Sequence, residues 1–169
     1  TLHAAASSSL SDASADCTIG VAPHSLRAVG IEDLKTYNAA FPNGPIHMHL
    51  AEQRAEVVEV EHHWGARPVA WALDNMELDT RWCLIHCTQM TAQETVRLAR
   101  SGAVAGLCPI TESNLGDGIF DAVQWTDSGG EIAVGSDSNI RIALSEELRT
   151  LEYSQRLRDG ARATLASIE

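Results

Sequence analysis

No CxxC pair occurs among the four cysteines of this chain, Cys17, Cys83, Cys87 and Cys108. Disulfide frameworks belong to small secreted domains, so none is implied at 169 residues and a reducing, cytoplasmic setting is the expectation. Basic side chains are scarce: 12 Lys and Arg stand against 23 Asp and Glu, a formal charge of −11. That excludes non-specific attraction to nucleic acid or an anionic membrane, which needs basic patches. No apolar run is long enough to span a bilayer. GxGxxG and GxxxxGKS/T are absent, which removes the main signals of nucleotide-binding open sheets. HExxH is absent, and so is the HxE plus PCxxC pair of the cytidine-deaminase type.

What remains is ordinary globular composition, 44% hydrophobic and 21% charged, enough for one domain with a core. The chain starts at Thr1. Residues 1–16 are rich in Ala and Ser but lack the basic start and apolar run of a signal peptide. They are expected to be the tail of a helix plus a loop, cut from something longer. From there strand and helix alternate. Cys17–Pro23, Pro45–Ala51, Trp82–Cys87, Ala103–Cys108 and Glu131–Ser136 read as strands. Helices are expected over Ile31–Ala40, Gln53–Trp64, Pro68–Asn75, Thr91–Ser101, Ile119–Asp127 and Ala143–Arg158, and a polar loop over Pro109–Gly118. Residues 17–158 thus form five β/α units, and 159–169 a C-terminal tail.

Strands separated by helices imply parallel pairing with right-handed crossovers. An open doubly wound sheet and part of a (β/α)8 barrel both fit that pattern. The polar residues favour the α/β barrel of the TIM type. His24, His49, Glu52, His86 and Asp137 all stand at or just past strand C-termini, which converge on one pocket in a barrel and spread along an edge in an open sheet.

In His47-Met48-His49 the side chains alternate, so the two histidines share a face, with His49 at the rim and His47 one layer deeper. His49 is placed to ligate a metal; taken alone it is equally a buried, hydrogen-bonded histidine. Glu52, just past the strand, suits a general acid/base, although a solvated Glu opening a helix looks the same. His86 ends an apolar strand as either a core or a site residue. Asp137 follows Gly135-Ser136 and can ligate a metal, serve as a base or cap a helix. Each signal is modest, and their recurrence at successive strand ends is what gives them weight. His24 and Arg27, in a turn at the rim, suit an anionic substrate group, because guanidinium grips carboxylate with two hydrogen bonds; a surface pairing of Arg27 with one of the many acids is the alternative. His62-His63 lies in an acidic helical run and reads as a solvated face.

Several segments carry a resemblance: GVAPHSLRAV (20–29), PIHMHLAEQ (45–53), GARPVAW (65–71), RWCLIHCTQMT (81–91), SGAVAGLCPITESNLGDGIF (101–120) and GSDSNIRIALSEELRTLEYSQRLR (135–158). Together they resemble the amidohydrolase superfamily and, within it, the formimidoylglutamate deiminases. HxxE and GSDS mark only the wider deaminase group; APHSLRAV with CPxTExNLGDG is far more specific. The resemblance implies a metal-dependent (β/α)8 barrel of which this chain supplies strands 4 to 8, lacking strands 1–3 and the C-terminal part. It implies one divalent metal, usually zinc. His49 and Asp137 then match metal ligands, with Asp137 also acting as a base; Glu52 shuttles protons and His86 orients water. His24 and Arg27 match substrate-carboxylate contacts. The HxH that supplies the family's other metal ligands is not in this chain, and the second histidine of the family's HxxH is Gln89 here. The implied reaction is hydrolysis of formimino-L-glutamate to N-formyl-L-glutamate and ammonia, in histidine degradation. Two other expectations are another aminohydrolase of the superfamily (a nucleobase or S-adenosylhomocysteine deaminase) or a fragment inactive alone. A small dicarboxylate is the expected partner, with no nucleic acid and no membrane, and a homodimer for the full-length protein. Two open sheet edges predict poor solubility or association of the chain by itself.

Overall fold

A computed structural model describes residues 2–10 and 17–165. The expected loop over 11–16 and the end of the tail, 166–169, lie outside the described residues. A helix, α1 (Leu2–Leu10), stands where the tail of one was expected, followed by α2 (Ile31–Ala40). Strand β1 (Ile46–Leu50) leads to α3 (Arg54–Trp64) and α4 (Pro68–Asn75). Strand β2 (Trp82–His86) leads to α5 (Ala92–Ala99), and β3 (Val104–Leu107) to α6 (Pro109–Leu115) and α7 (Ala122–Asp127). Strand β4 (Glu131–Val134) precedes the long α8 (Leu144–Asp159). The strands pair in parallel in chain order, β1-β2-β3-β4, so the sheet advances one way without reversal. No helix among the described residues is long and apolar enough to cross a membrane.

Two expectations need correction. The first predicted strand, Cys17–Pro23, is only a parallel bridge from Val21 to Ile46. Val21 N–H donates to the Pro45 carbonyl and His47 N–H to the Val21 carbonyl, each at 3.0 Å. The next rung would need an N–H from residue 23, and Pro23 has none, so the ladder breaks there. His49 N–H bonds instead to the carbonyl of His24 at 3.0 Å. The second correction is Pro109–Gly118, expected as a loop. Its first seven residues form α6, with Pro109 in the first turn and Gly116 capping the end at φ 72°. Proline just inside a helix start and glycine just past its end are the ordinary terminal signals, here hidden by the polar residues between.

The two faces of the sheet differ. On the helix-covered face Ile46, Met48, Leu50, Trp82, Leu84, Ala105 and Leu107 are fully buried and form the centre of the core. On the other face His47 is exposed, while His49, Cys83 and Ile85 are half-buried. Register confirms that these residues share a face, since His47 pairs with Cys83 and His49 with Ile85. Trp125 closes the core behind β4; its indole N–H donates to the Glu131 carbonyl at 3.0 Å and its ring meets Phe120 edge-on at 5.5 Å.

Candidate active site

The strand ends are built on unusual backbone. Ala51, His86, Cys87 and Asp137 all have positive φ (52°, 73°, 52° and 53°), a region that costs side-chain-bearing residues energy and collects at functional sites. At β2 this has a visible effect. Alternation from Trp82 and Leu84 would put His86 under the helices; instead its ring stacks on that of His49, centroids 5.7 Å apart. Backbone bonds stitch the ends together: Cys87 N–H donates to the Leu50 carbonyl at 3.1 Å and Gln89 N–H to the Ala51 carbonyl at 2.8 Å. The Gln89 side-chain amide donates to the Asp117 carbonyl.

His86 is the hub. Its Nε2 lies 3.7 Å from Glu52 Oε1 and 4.0 Å from Asp137 Oδ2, and its Nδ1 lies 3.2 Å from Glu112 Oε1. The ring is 1% exposed. Burial alone would lower its pKa, but the hydrogen bond to Glu112 and the charges of Glu52, Glu112 and Asp137 outweigh it, and the pKa rises above the ordinary histidine value. The structure thus brings His49, Glu52, His86 and Asp137 together from three strand ends. His24 joins them, its ring 5.0 Å from that of His49. Arg27 does not point at this cluster. Its guanidinium lies 4.0 Å from Glu59 of α3 and lines a separate cavity of about 370 Å³ with His63 and Trp64.

Two buried carboxylates escaped the sequence reasoning. Glu56, 0% exposed, accepts from Ala51 N–H at 2.9 Å and Glu52 N–H at 2.8 Å, so it clamps the turn that carries Glu52. Glu112, 4% exposed, accepts from Cys108 N–H at 2.8 Å as well as facing His86. For Glu56 the signal was a Glu in the first turn of a helix, which a solvated helix start shares; Glu112 stood in the CPxTExNLGDG motif without a role assigned to it. Asp137 is held from the other side: Thr111 donates its hydroxyl to the Ser136 carbonyl at 3.2 Å, and Gly135 N–H donates to Leu107 at 2.9 Å. The buried Cys87 and Cys108 offer no nucleophile. Burial, aided by Glu112 and Asp137, pushes the Cys108 thiol up to about 12, and burial drives Cys87 well above the usual thiol range.

Among the described residues no three His, Cys, Asp or Glu side chains are arranged to hold a metal. Two donors nevertheless suit part of a metal shell. His49 Nδ1 lies 2.9 Å from the carbonyl of His24, which can only accept, so Nδ1 carries the proton and Nε2 keeps its lone pair. Asp137 presents an exposed carboxylate on the same side, against His86.

Parallel strands in chain order, with a shared polar site beyond their C-terminal ends, define an α/β scaffold of the barrel class. The chain belongs to the amidohydrolase family, whose pattern it matches over residues 4–168. It is 48% identical over 149 residues to a formimidoylglutamate deiminase of Pseudomonas aeruginosa, a match covering 88% of this chain and 33% of that protein. The crystal structure of an amidohydrolase from Brucella melitensis superposes with a TM-score of 0.86 at 51% identity, over 89% of this chain and 34% of that one. An adenosine deaminase from Xanthomonas campestris, solved with bound zinc, shares the fold at 23% identity and a TM-score of 0.83, over 95% of this chain and 38% of that one. The chain therefore spans about a third of the length of these relatives, and its sheet is an arc of their barrel.

Proposed function

We propose that this chain carries the acid–base side of a hydrolytic deiminase centre that converts formimino-L-glutamate and water to N-formyl-L-glutamate and ammonia. One observation carries the proposal: a buried histidine whose Nε2 faces two carboxylates, Glu52 at 3.7 Å and Asp137 at 4.0 Å, at the ends of parallel strands. Similarity to a formimidoylglutamate deiminase supports the substrate.

His49 and Asp137 would hold a divalent metal, zinc by preference, completed by ligands outside this chain. When bound, such an ion lowers the pKa of a coordinated water toward ~7. Asp137 takes one proton of the attacking water, His86 Nε2 takes the other as the adduct collapses, and the two groups aim the water oxygen at the formimino carbon. Glu52 relays these two protons to the departing nitrogen, the C–N bond breaks, and ammonia leaves. Glu56 keeps Glu52 in place by holding its backbone N–H. His24 and Arg27 hold the substrate carboxylates, which orients the reacting carbon. Arg27 must leave Glu59 to do so. That ion pair is long and half in water, and such pairs hold by about 0–1 kcal/mol, so the turn costs little.

The test replaces the matching third of the Pseudomonas aeruginosa deiminase with residues 17–165 and measures ammonia release. Turnover of formimino-L-glutamate is expected, and Arg27→Ala should raise KM for it. A folded graft that releases no ammonia from formimino-L-glutamate rejects the proposal.

A further inference from the structure

We infer that Glu112 is a positioning residue that locks His86 in the Nδ1–H tautomer and thereby makes Nε2 its single working nitrogen. The inference rests on the proton-transfer role given to His86 above. A neutral imidazole has one N–H and one lone pair, and its surroundings decide which nitrogen carries which. The groups that face its two nitrogens are acceptors: Glu112 at Nδ1, Glu52 and Asp137 at Nε2. The sides compete for one proton, and distance decides. Glu112 lies within hydrogen-bond range at 3.2 Å, while Glu52 and Asp137 stand off at 3.7 and 4.0 Å. The proton therefore sits on Nδ1, and the lone pair points into the site where water must be deprotonated.

Glu112 is held in this task by a second bond. The same oxygen, Oε1, accepts from Cys108 N–H at 2.8 Å. That N–H is a donor that cannot turn, because α6 begins at the next residue. This makes a distinctive prediction about the amide variant. In many histidine–carboxylate pairs an amide in place of the carboxylate can turn its NH₂ toward the ring and flip the tautomer, with large loss of turnover. Here such a turn would set NH₂ against the Cys108 N–H, donor against donor. Glu112→Gln must keep its carbonyl oxygen where Oε1 is now, and that oxygen still accepts from His86 Nδ1–H. The glutamine should preserve the tautomer; a leucine should not.

The chain labelled with ¹⁵N-histidine reports the tautomer through long-range ¹H–¹⁵N correlation, read in alkaline buffer where the ring is neutral, with His86→Asn assigning the signals. Wild type and Glu112→Gln should show a protonated Nδ1 and a bare Nε2. Glu112→Leu should move at least half of the population to the Nε2–H form, which the two remaining carboxylates favour. In the grafted enzyme, kcat of Glu112→Leu should fall about 10²–10⁴-fold with KM within about threefold, while Glu112→Gln stays within about tenfold of wild type. A bare Nδ1 in wild type, an unchanged tautomer in Glu112→Leu, or equal loss of kcat in both variants would overturn the inference. If the wild-type graft is inactive, the substrate proposal fails, and the tautomer measurement still decides the role of Glu112.

Discussion

The two faces of the sheet do opposite work. On the covered face, side chains from Ile46 to Leu107 meet α-helices and lose all contact with water. On the other face, the same strands carry His47, His49, Cys83 and Ile85, which retain partial or full exposure. The strands are common to both faces, so backbone pairing cannot explain the difference. Period-two alternation sorts apolar residues to one side and leaves the other for chemistry. His86 crosses between them, through its left-handed backbone.

The polar face should show the largest effect of a single substitution. Glu52→Gln removes a proton carrier without touching the core. The grafted enzyme should lose about 10²–10⁴ in kcat with its circular dichroism unchanged; activity within tenfold of wild type would remove Glu52 from the reaction. On the covered face the loss should be one of folding. Trp82→Ala takes away a side chain 2% exposed and an indole N–H bonded to the Glu77 carbonyl. Chemical denaturation of the chain should show a cost of about 3–5 kcal/mol.

A smaller effect sharpens the picture at β4, where α8 sends Glu147, 1% exposed, to accept from Ile110 N–H at 2.9 Å while its other oxygen has no partner. Burial raises its pKa above the ordinary 4.5; the Ile110 N–H opposes this, and Glu112 and Glu146 add to it more than Arg141 offsets. A carboxyl with a raised folded pKa binds more protons folded than unfolded. Its stabilising contribution is therefore complete below 4.5 and declines as pH climbs through the folded value. Glutamine has no such dependence. The melting temperature of Glu147→Gln relative to wild type should rise from about pH 4 to about pH 7, and a constant difference would refute it. The smallest effect belongs to His47, exposed and one layer below His49. His47→Ala should change stability by less than about 0.5 kcal/mol, as surface substitutions do; a loss above about 2 kcal/mol would show that this face is packed.

Much of this was readable in advance. Ile31–Ala40 and Pro68–Asn75 have the helix limits expected of them, and four of five strands stand within a residue or two of their expected ends. Apolar periodicity and Pro/Gly punctuation are local, and so is the evidence for such elements. The convergence of His49, Glu52, His86 and Asp137 was legible because parallel strands place their ends together. Pro23 was visible, but its effect depends on which rung of the ladder it meets. Glu56 was not legible, because a helix-opening Glu looks the same whether it faces water or reaches back to a strand-end N–H; Glu112 stood in the CPxTExNLGDG motif, but nothing local shows that it faces His86. Arg27 shows the converse: its motif points to a substrate, and its present neighbour is Glu59.

The mirror-handed turns at Ala51, His86, Cys87 and Asp137 invert the usual rules of tolerance. In a strand interior valine and isoleucine are welcome and glycine is a weakness. At these tips a β-branched replacement meets its own carbonyl, and glycine becomes the cheapest guest. A directed-evolution library for new substrates should therefore spare the tips and diversify the loops beyond them.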